Sequence, residues 1–326
     1  MSIGYDEQPE PHQSSVLKRR WRVILTLCGF GLLAGMIAWA GPVALWDRLR
    51  MIDPACLAGA IAAIVAGTLL SAINSYLICG ASQVMGLGEY VYAFWVAWAI
   101  GLVVPGQIGD MLTLNQVLRR RGMPLSHSVA RTTVDKVVSL LCALMVASQI
   151  FRLGHASVLR SLSAGAIILL AGMAAFAALS LWALHRMGRM ESKNRWVVGA
   201  IATAAEVVRI VITRPRLLVV NLVLSLLKVG LTGISYWLVI RGLSAAVPPL
   251  QNVTIAAISS GLVAYLPLSA NGIGTVEVAG AGLFGELGIG LDIVLSMYLV
   301  LRLVNILLAW VPAMFVLPDL LRTRKH

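Results

Sequence analysis

Residues 265–277 read Tyr-Leu-Pro-Leu-Ser-Ala-Asn-Gly-Ile-Gly-Thr-Val-Glu. They lie between apolar segments, yet they carry Pro267, Ser269, Asn271, Gly272, Gly274 and the carboxylate of Glu277. Proline has no N–H to donate and glycine tolerates turn backbone. A helix arriving from Ile255 is therefore expected to break here, and a new one to start near Gly274 with Glu277 in its first turn. Broken backbone at membrane depth persists only where protein or water satisfies its polar groups. The stretch is thus a candidate cavity lining.

A second stretch follows the same plan. Residues 104–110 read Val-Pro-Gly-Gln-Ile-Gly-Asp, with Pro105, Gly106, Gln107, Gly109 and Asp110 behind an apolar approach. The prolines at 105 and 267 are 162 residues apart, and so are the apolar spans ahead of them, which start near Ala55 and Leu217. This common offset reads as an internal repeat.

The composition fixes the solvent. Hydrophobic residues make up 59% of the chain and charged ones 12%, with a mean hydropathy of +0.87. Soluble domains carry about 25% charged residues. The chain reads as an all-α polytopic membrane protein with one membrane domain over 21–320. The net charge of +12 could point to nucleic acid. The basic residues instead gather at the ends of apolar spans, where topology and anionic headgroups account for them. Cys28, Cys56, Cys79 and Cys142 all fall in apolar spans without a Cys-x-x-Cys pair, so no disulfide framework or metal site is indicated. No phosphate-loop pattern occurs, and no cofactor is expected.

Along the chain, residues 1–20 form a polar tail, and Lys18, Arg19, Arg20 and Arg22 precede an apolar run at 23–41. Ala38-Trp39-Ala40 resembles a signal-peptidase site, but the charged lead and the long apolar run favour a retained anchor. Further spans are expected at 55–79, 126–150, 161–184, 217–240 and 292–317. The segment 185–216 is basic, and its Thr203, Glu206, Arg209 and Thr213 recur at helical spacing. That pattern predicts an amphipathic helix lying on the membrane surface.

Charge then arbitrates between two shapes for the broken units, a single broken crossing or a re-entrant hairpin. With hairpins there are six full spans, and both termini are cytoplasmic. Arg119, Arg120, Arg121 and the 185–216 segment also face the cytoplasm, as the positive-inside rule prefers. No Lys or Arg occurs from Leu243 to Leu301, which suits an external hairpin. The expected plan is two inverted repeats, about 55–150 and 217–317, whose broken helices meet near the midplane.

Charged residues within spans are costly and mark polar pathways. Lys228, Arg302, Asp135 and Lys136 lie deep in their spans, with Arg131 one turn before Asp135. Two structural readings compete with a functional one. Arg131 and Asp135, four apart, can neutralise each other on one helix face. Asp110 and Glu277 sit where carboxylates cap helix N-termini.

At these residues the chain resembles the lysylphosphatidylglycerol synthetase transmembrane-domain family of flippase-like proteins. The second half carries Leu266-Pro267, Asn271-Gly272-Ile273-Gly274, Glu277, then Arg302 with Asn305 three residues on. The first half carries Pro105, Gly106, Gly109, Asp110 and, later, Asp135. It departs from the family pattern at Asp110, where glutamate is usual, and at Thr113 and Thr132, where arginines are usual. In bifunctional members an aminoacyl-transferase domain follows the membrane part, and these residues contain no counterpart.

The resemblance implies a translocase for a lipid with an anionic or phosphate-bearing headgroup, in a bacterial inner membrane, without lipid aminoacylation. Arg302, Lys228, Asn305, Arg131, Lys136, Asn271, Ser269 and Gln107 are the candidate headgroup contacts. Asp110, Glu277 and Asp135 are candidates for gating or carrying protons. The rival readings are an intramembrane enzyme on a lipid-linked substrate, using Asp110 and Glu277 as an acid/base pair, and a lipid-binding accessory subunit of a biosynthetic enzyme. The chain shows no nucleophile constellation.

Overall fold

A computed structural model describes residues 42–102, 109–149, 195–244, 246–265 and 272–321, together with Ala38 and Ala178. Among these residues the regular structure is helical. The elements are α1 (Pro42–Arg50), α2 (Pro54–Cys79), α3 (Leu87–Gly101), α4 (Gly109–Arg120), α5 (Leu125–Ala147), α6 (Arg195–Thr213), α7 (Pro215–Leu243), α8 (Leu250–Leu262), α9 (Thr275–Gly285) and α10 (Leu291–Leu321). The expected spans at 23–41 and 161–184, the two tails, and Pro105, Gly106, Gln107, Pro267, Ser269 and Asn271 lie outside the described residues.

Three helices are long and apolar enough to cross a membrane: Pro54–Cys79, Pro215–Leu243 and Leu291–Ala313. The chain is membrane-embedded. α5 is long enough at 23 residues but carries Arg131, Asp135 and Lys136. The outer faces are those expected against lipid. Leu69, Ile73 and Leu77 on α2, Val219, Val223 and Leu227 on α7, and Leu303, Ile306, Leu307 and Val311 on α10 are all exposed.

Local chemistry sets the helix ends. Asp53 caps α2 by accepting from Ala55 N–H at 2.9 Å, and Pro54 takes the first helical position. That backbone hydrogen bond holds the Asp53 carboxyl below its usual range. α7 also opens on proline, Pro215. α9 opens after Gly274, whose φ of 80° suits glycine, and the Glu277 carboxylate accepts its N–H at 2.8 Å. Only this half of a capping box exists, since glycine has no side chain to reciprocate.

Both broken units fold as helical hairpins. Glu89 in the first turn of α3 pairs with Arg121, just past the end of α4. The outer ends of the two arms therefore lie together. Gly101, the last residue of α3, abuts the Asp110 backbone at the start of α4. In the second unit, Tyr298 on α10 hydrogen-bonds Ser260 of α8 at 2.7 Å and also fills the space over Gly280 of α9. Residues 260 and 280 can share a neighbour in this way only if the chain doubles back between them. The arms contain 15, 12, 13 and 11 residues. At 1.5 Å per residue each is shorter than the roughly 30 Å hydrocarbon thickness.

The packing is reciprocal. α2 lies along α7. α3 packs on α10, and its counterpart α8 packs on α5. Trp95 of α3 donates to the Leu308 carbonyl of α10 at 2.7 Å. One apolar core forms around Ile78, Tyr90, Leu118, Val134 and Cys142. A second forms around Val239, Val253, Phe284, Val294 and Met297.

Within 185–216 the structure describes a helix, α6, and one residue of the expected polar face is turned inward. α6 packs against α5, with Val207 and Ile210 buried. Glu206, expected on the polar outer face, is turned inward and only 6% exposed, whereas Arg209 and Thr213 stay exposed. The cause is a cation on the facing helix. Arg131 donates to Glu206 Oε1 from Nε at 3.3 Å and from Nη2 at 3.1 Å. Arg131 thus pairs across helices and not with Asp135 on its own.

Candidate functional site

Three polar stripes run along otherwise apolar helices and converge. On α2 the stripe is Thr68, Ser71, Asn74 and Ser75. On α5 it is Thr132, Asp135 and Ser139. On α7 it is Asn221, Ser225, Lys228, Thr232 and Ser235. Steps of three and four residues keep each stripe on one helix face. Apart from Asn221 and Ser225, which lie behind its wall, they line a cavity of about 370 Å³, closed on further sides by Phe94, Trp98 and Gly101 of α3, Leu102 just past it, Asp110 and Met111 of α4, Tyr265, and Leu301 and Asn305 of α10.

The cavity wall carries four charges: Asp110, Asp135, Lys136 and Lys228. Asp110 and Lys136 form an ion pair at the mouth of the first hairpin. Asp110 Oδ1 also accepts from Met111 N–H at 2.8 Å, inside the first turn of α4. Asp135 Oδ1 accepts from Asn221 Nδ2 at 2.7 Å and from Asn74 Nδ2 at 3.1 Å. Lys228 lines the cavity and is exposed to it, with no ion-pair partner among the described residues. Formally the four charges cancel; in space Asp110 pairs with Lys136, while Asp135 and Lys228 have no ion-pair partner among the described residues. Asn305 completes the wall, its Nδ2 donating to the Leu301 carbonyl at 2.6 Å.

Arg302 and Glu277 sit elsewhere. Arg302 Nε donates to Glu277 Oε1, and the Glu277 side chain is 1% exposed. Neither residue lines the cavity. Glu277 therefore holds the start of α9 at Gly274 and ties it to α10. Arg131 is also spent elsewhere. Besides Glu206, it donates to the Cys79 carbonyl at 2.6 Å, locking the end of α2 to α5 and α6. Gly109, Gly272 and Gly274 stand at the starts of the second hairpin arms. At Gly272, with φ of 69°, a Cβ would lie 2.5 Å from Val276 Cγ2 and 2.9 Å from Ala264 Cβ. The turn accepts no larger residue.

Asn74, Asn221, Ser225 and Ser139 were not among the residues singled out from sequence. For the α7 stripe the signal was present: a polar residue every three or four positions through a span that otherwise reads as lipid-facing. Among the described residues no three His, Cys, Asp or Glu side chains cluster as a metal centre would need.

The chain matches a family profile described as "Lysylphosphatidylglycerol synthase TM region" over residues 25–313. Neither a curated protein nor a solved structure matches it.

Proposed function

We propose, from the premise that the chain belongs to the lysylphosphatidylglycerol synthase TM-region family, that it is a lipid translocase. The family ties it to lipid modification or translocation in a membrane. Our reading is that it moves an anionic or phosphate-bearing headgroup across the bacterial inner membrane while the apolar tails stay in the bilayer. The observation that carries this is Lys228, an ammonium with no ion pair among the described residues, lining a cavity with polar stripes inside an assembly whose outer helix faces are apolar. A cation within a membrane span is costly unless it faces a polar cavity or meets an anion. Lys136 is a second cation at the same wall, released to a headgroup when it exchanges Asp110 for phosphate. The first turn of α4 adds backbone N–H groups beside Asp110.

The architecture supports a transporter plan. Span, hairpin and span occur in the same order twice, and the hairpin of each half packs against the last span of the other. We read this as two inverted repeats with re-entrant hairpins, six full spans and cytoplasmic termini. Movement is downhill or ion-coupled and leaves the lipid covalently unchanged. Arg302, first placed among headgroup contacts, acts in this reading by holding α9 and α10 together beside the cavity.

The test is leaflet exchange in proteoliposomes carrying headgroup-labelled lipids, with Lys228→Met and Arg302→Ala beside the unaltered chain. Exchange of an anionic lipid that falls at least about tenfold in Lys228→Met, a loss of about 1.4 kcal/mol, supports the assignment. Exchange unchanged by that substitution overturns it. Lipid mass analysis of the same vesicles separates translocation from enzymatic turnover, because only turnover changes mass. Activity that appears only with a co-purified enzyme would indicate an accessory subunit.

A further inference from the structure

Helices α2 and α7 lie side by side and antiparallel, and their contacts fix the register. Asn74 Nδ2 lies 3.4 Å from Ser225 Oγ, Gly67 faces Leu231, Gly59 faces Leu238 and Gly242 faces Cys56. Three residues along from Asn74 and Ser225, Ser71 comes level with Lys228. Thr68 and Thr232 flank the next contact, Gly67 with Leu231. Ser235 lies one turn beyond, before Leu238 meets Gly59. Ser71, Lys228, Thr68, Thr232 and Ser235 all line the cavity. At 1.5 Å per residue, Thr232 stands about 6 Å and Ser235 about 10 Å past Lys228 along the seam.

The four hydroxyls have already spent their protons. Thr68 donates to the Ile64 carbonyl at 2.9 Å, Ser71 to Gly67 at 2.8 Å, Thr232 to Lys228 at 3.0 Å and Ser235 to Thr232 at 2.7 Å. A hydroxyl in an apolar helix bonds back to its own turn in this way and keeps its lone pairs. None of the four accepts a hydrogen bond from a group among the described residues. Across the cavity, Asn305 Nδ2 is likewise spent on the Leu301 carbonyl, which leaves Oδ1 as an acceptor. The seam is therefore a row of neutral acceptors headed by the Lys228 ammonium.

We propose that this seam binds the headgroup of a phospholipid that carries a sugar or cyclic polyol, with the phosphate at Lys228 and the hydroxyls donating to Thr68, Thr232 and Ser235. The inference rests on the translocase reading of the same cavity and names its headgroup class. A bare phosphate would meet the ammonium and leave the row of acceptors unmatched. An amine headgroup would bring a second cation beside Lys228. Acceptors at two levels past the ammonium call for hydroxyls at more than one place on the ligand. The cavity of about 370 Å³ falls within the roughly 300–1,000 Å³ of small-molecule sites, so it has room for more than a phosphate.

The experiment is equilibrium binding of tail-labelled lipids to the purified full chain in phosphatidylcholine nanodiscs. The probes share their acyl tails and differ in headgroup. Phosphatidylinositol carries a ring of hydroxyls, phosphatidylglycerol a short diol, phosphatidylmethanol the same single charge with no hydroxyl, and phosphatidylethanolamine an amine. Phosphatidylinositol is expected to bind at least about tenfold tighter than phosphatidylmethanol, with phosphatidylglycerol between them. The double variant Thr68→Val with Thr232→Val keeps the side-chain shapes, removes two acceptors and should erase most of that ratio. Replacing its second change by Thr232→Ser should recover part of it. Lys228→Met should weaken the three anionic lipids alike. Equal affinity for phosphatidylinositol and phosphatidylmethanol overturns the proposal, as does a ratio untouched by the double variant. Tightest binding of phosphatidylethanolamine overturns it in favour of an amine headgroup. Leaflet exchange of the same lipids separates this proposal from the translocase reading. Hydroxyl preference in binding, without exchange of any lipid, keeps the site and removes the translocase. Exchange that falls in Lys228→Met yet ignores headgroup hydroxyls does the reverse.

Discussion

Two ion pairs occupy matching places and have different surroundings. Lys136 stands 11 residues past Leu125, and Arg302 stands 11 past Leu291. Each faces a carboxylate in the first turn of the preceding hairpin arm, Asp110 or Glu277. The Asp110 side chain is 23% exposed at the cavity, while that of Glu277 is 1% exposed. Removing one partner of a buried pair leaves an uncompensated charge and costs about 3–5 kcal/mol. A pair open to water is worth about 1 kcal/mol or less. Glu277→Gln should therefore lower the melting temperature in detergent clearly more than Asp110→Asn. Equal shifts, followed by tryptophan fluorescence, would remove the distinction between a structural pair and a cavity pair. Both carboxylates were visible in the sequence as first-turn acids. That one is sealed and the other wet depends on what packs above each.

The docking of α6 combines the buried apolar side chains of Val207 and Ile210 with a buried ion pair, Glu206 with Arg131, with His127 Nε2 3.9 Å and Arg209 Nη1 3.8 Å from the other carboxylate oxygen. Arg131→Met strands Glu206 against α5. It should loosen α6 and speed tryptic cleavage after Arg216, which is exposed in the first turn of α7. The double change Arg131→Met with Glu206→Met should recover most of the lost resistance, since an apolar pair avoids the desolvation cost. A double variant as labile as the single one would show that the ion pair itself, and not the stranded charge, governs docking. The periodicity of 203–213 predicted the helix correctly. It also placed Glu206 with the solvent-facing residues, because the pattern cannot register a cation supplied by another helix.

For the whole molecule, the reading of two re-entrant hairpins fixes which ends face which side. With the native cysteines replaced, Gln251→Cys and Glu286→Cys, at the outer ends of α8 and α9, should both react with an impermeant maleimide from outside the cell. Gln116→Cys near the end of α4 should react only after the membrane is opened. Labelling of residues 251 and 286 from opposite sides would mean that the second unit crosses the bilayer.

The sequence by itself determined the solvent, the positions of the two breaks and the acids beside them. Those follow from local chemistry: apolar composition, proline without an N–H, glycine at φ of 69° and 80°, and carboxylates at helix starts. Tertiary structure alone decided the partners. Arg131 meets Glu206 across 75 residues of chain, and Asn221 meets Asn74 across 147. A helical stripe shows which residues share a face, but the identity of the facing helix depends on how the apolar surfaces pack. That packing left Lys228 lining the cavity without an ion pair among the described residues and committed Arg302 to Glu277, although the two read alike as lone charges in apolar spans.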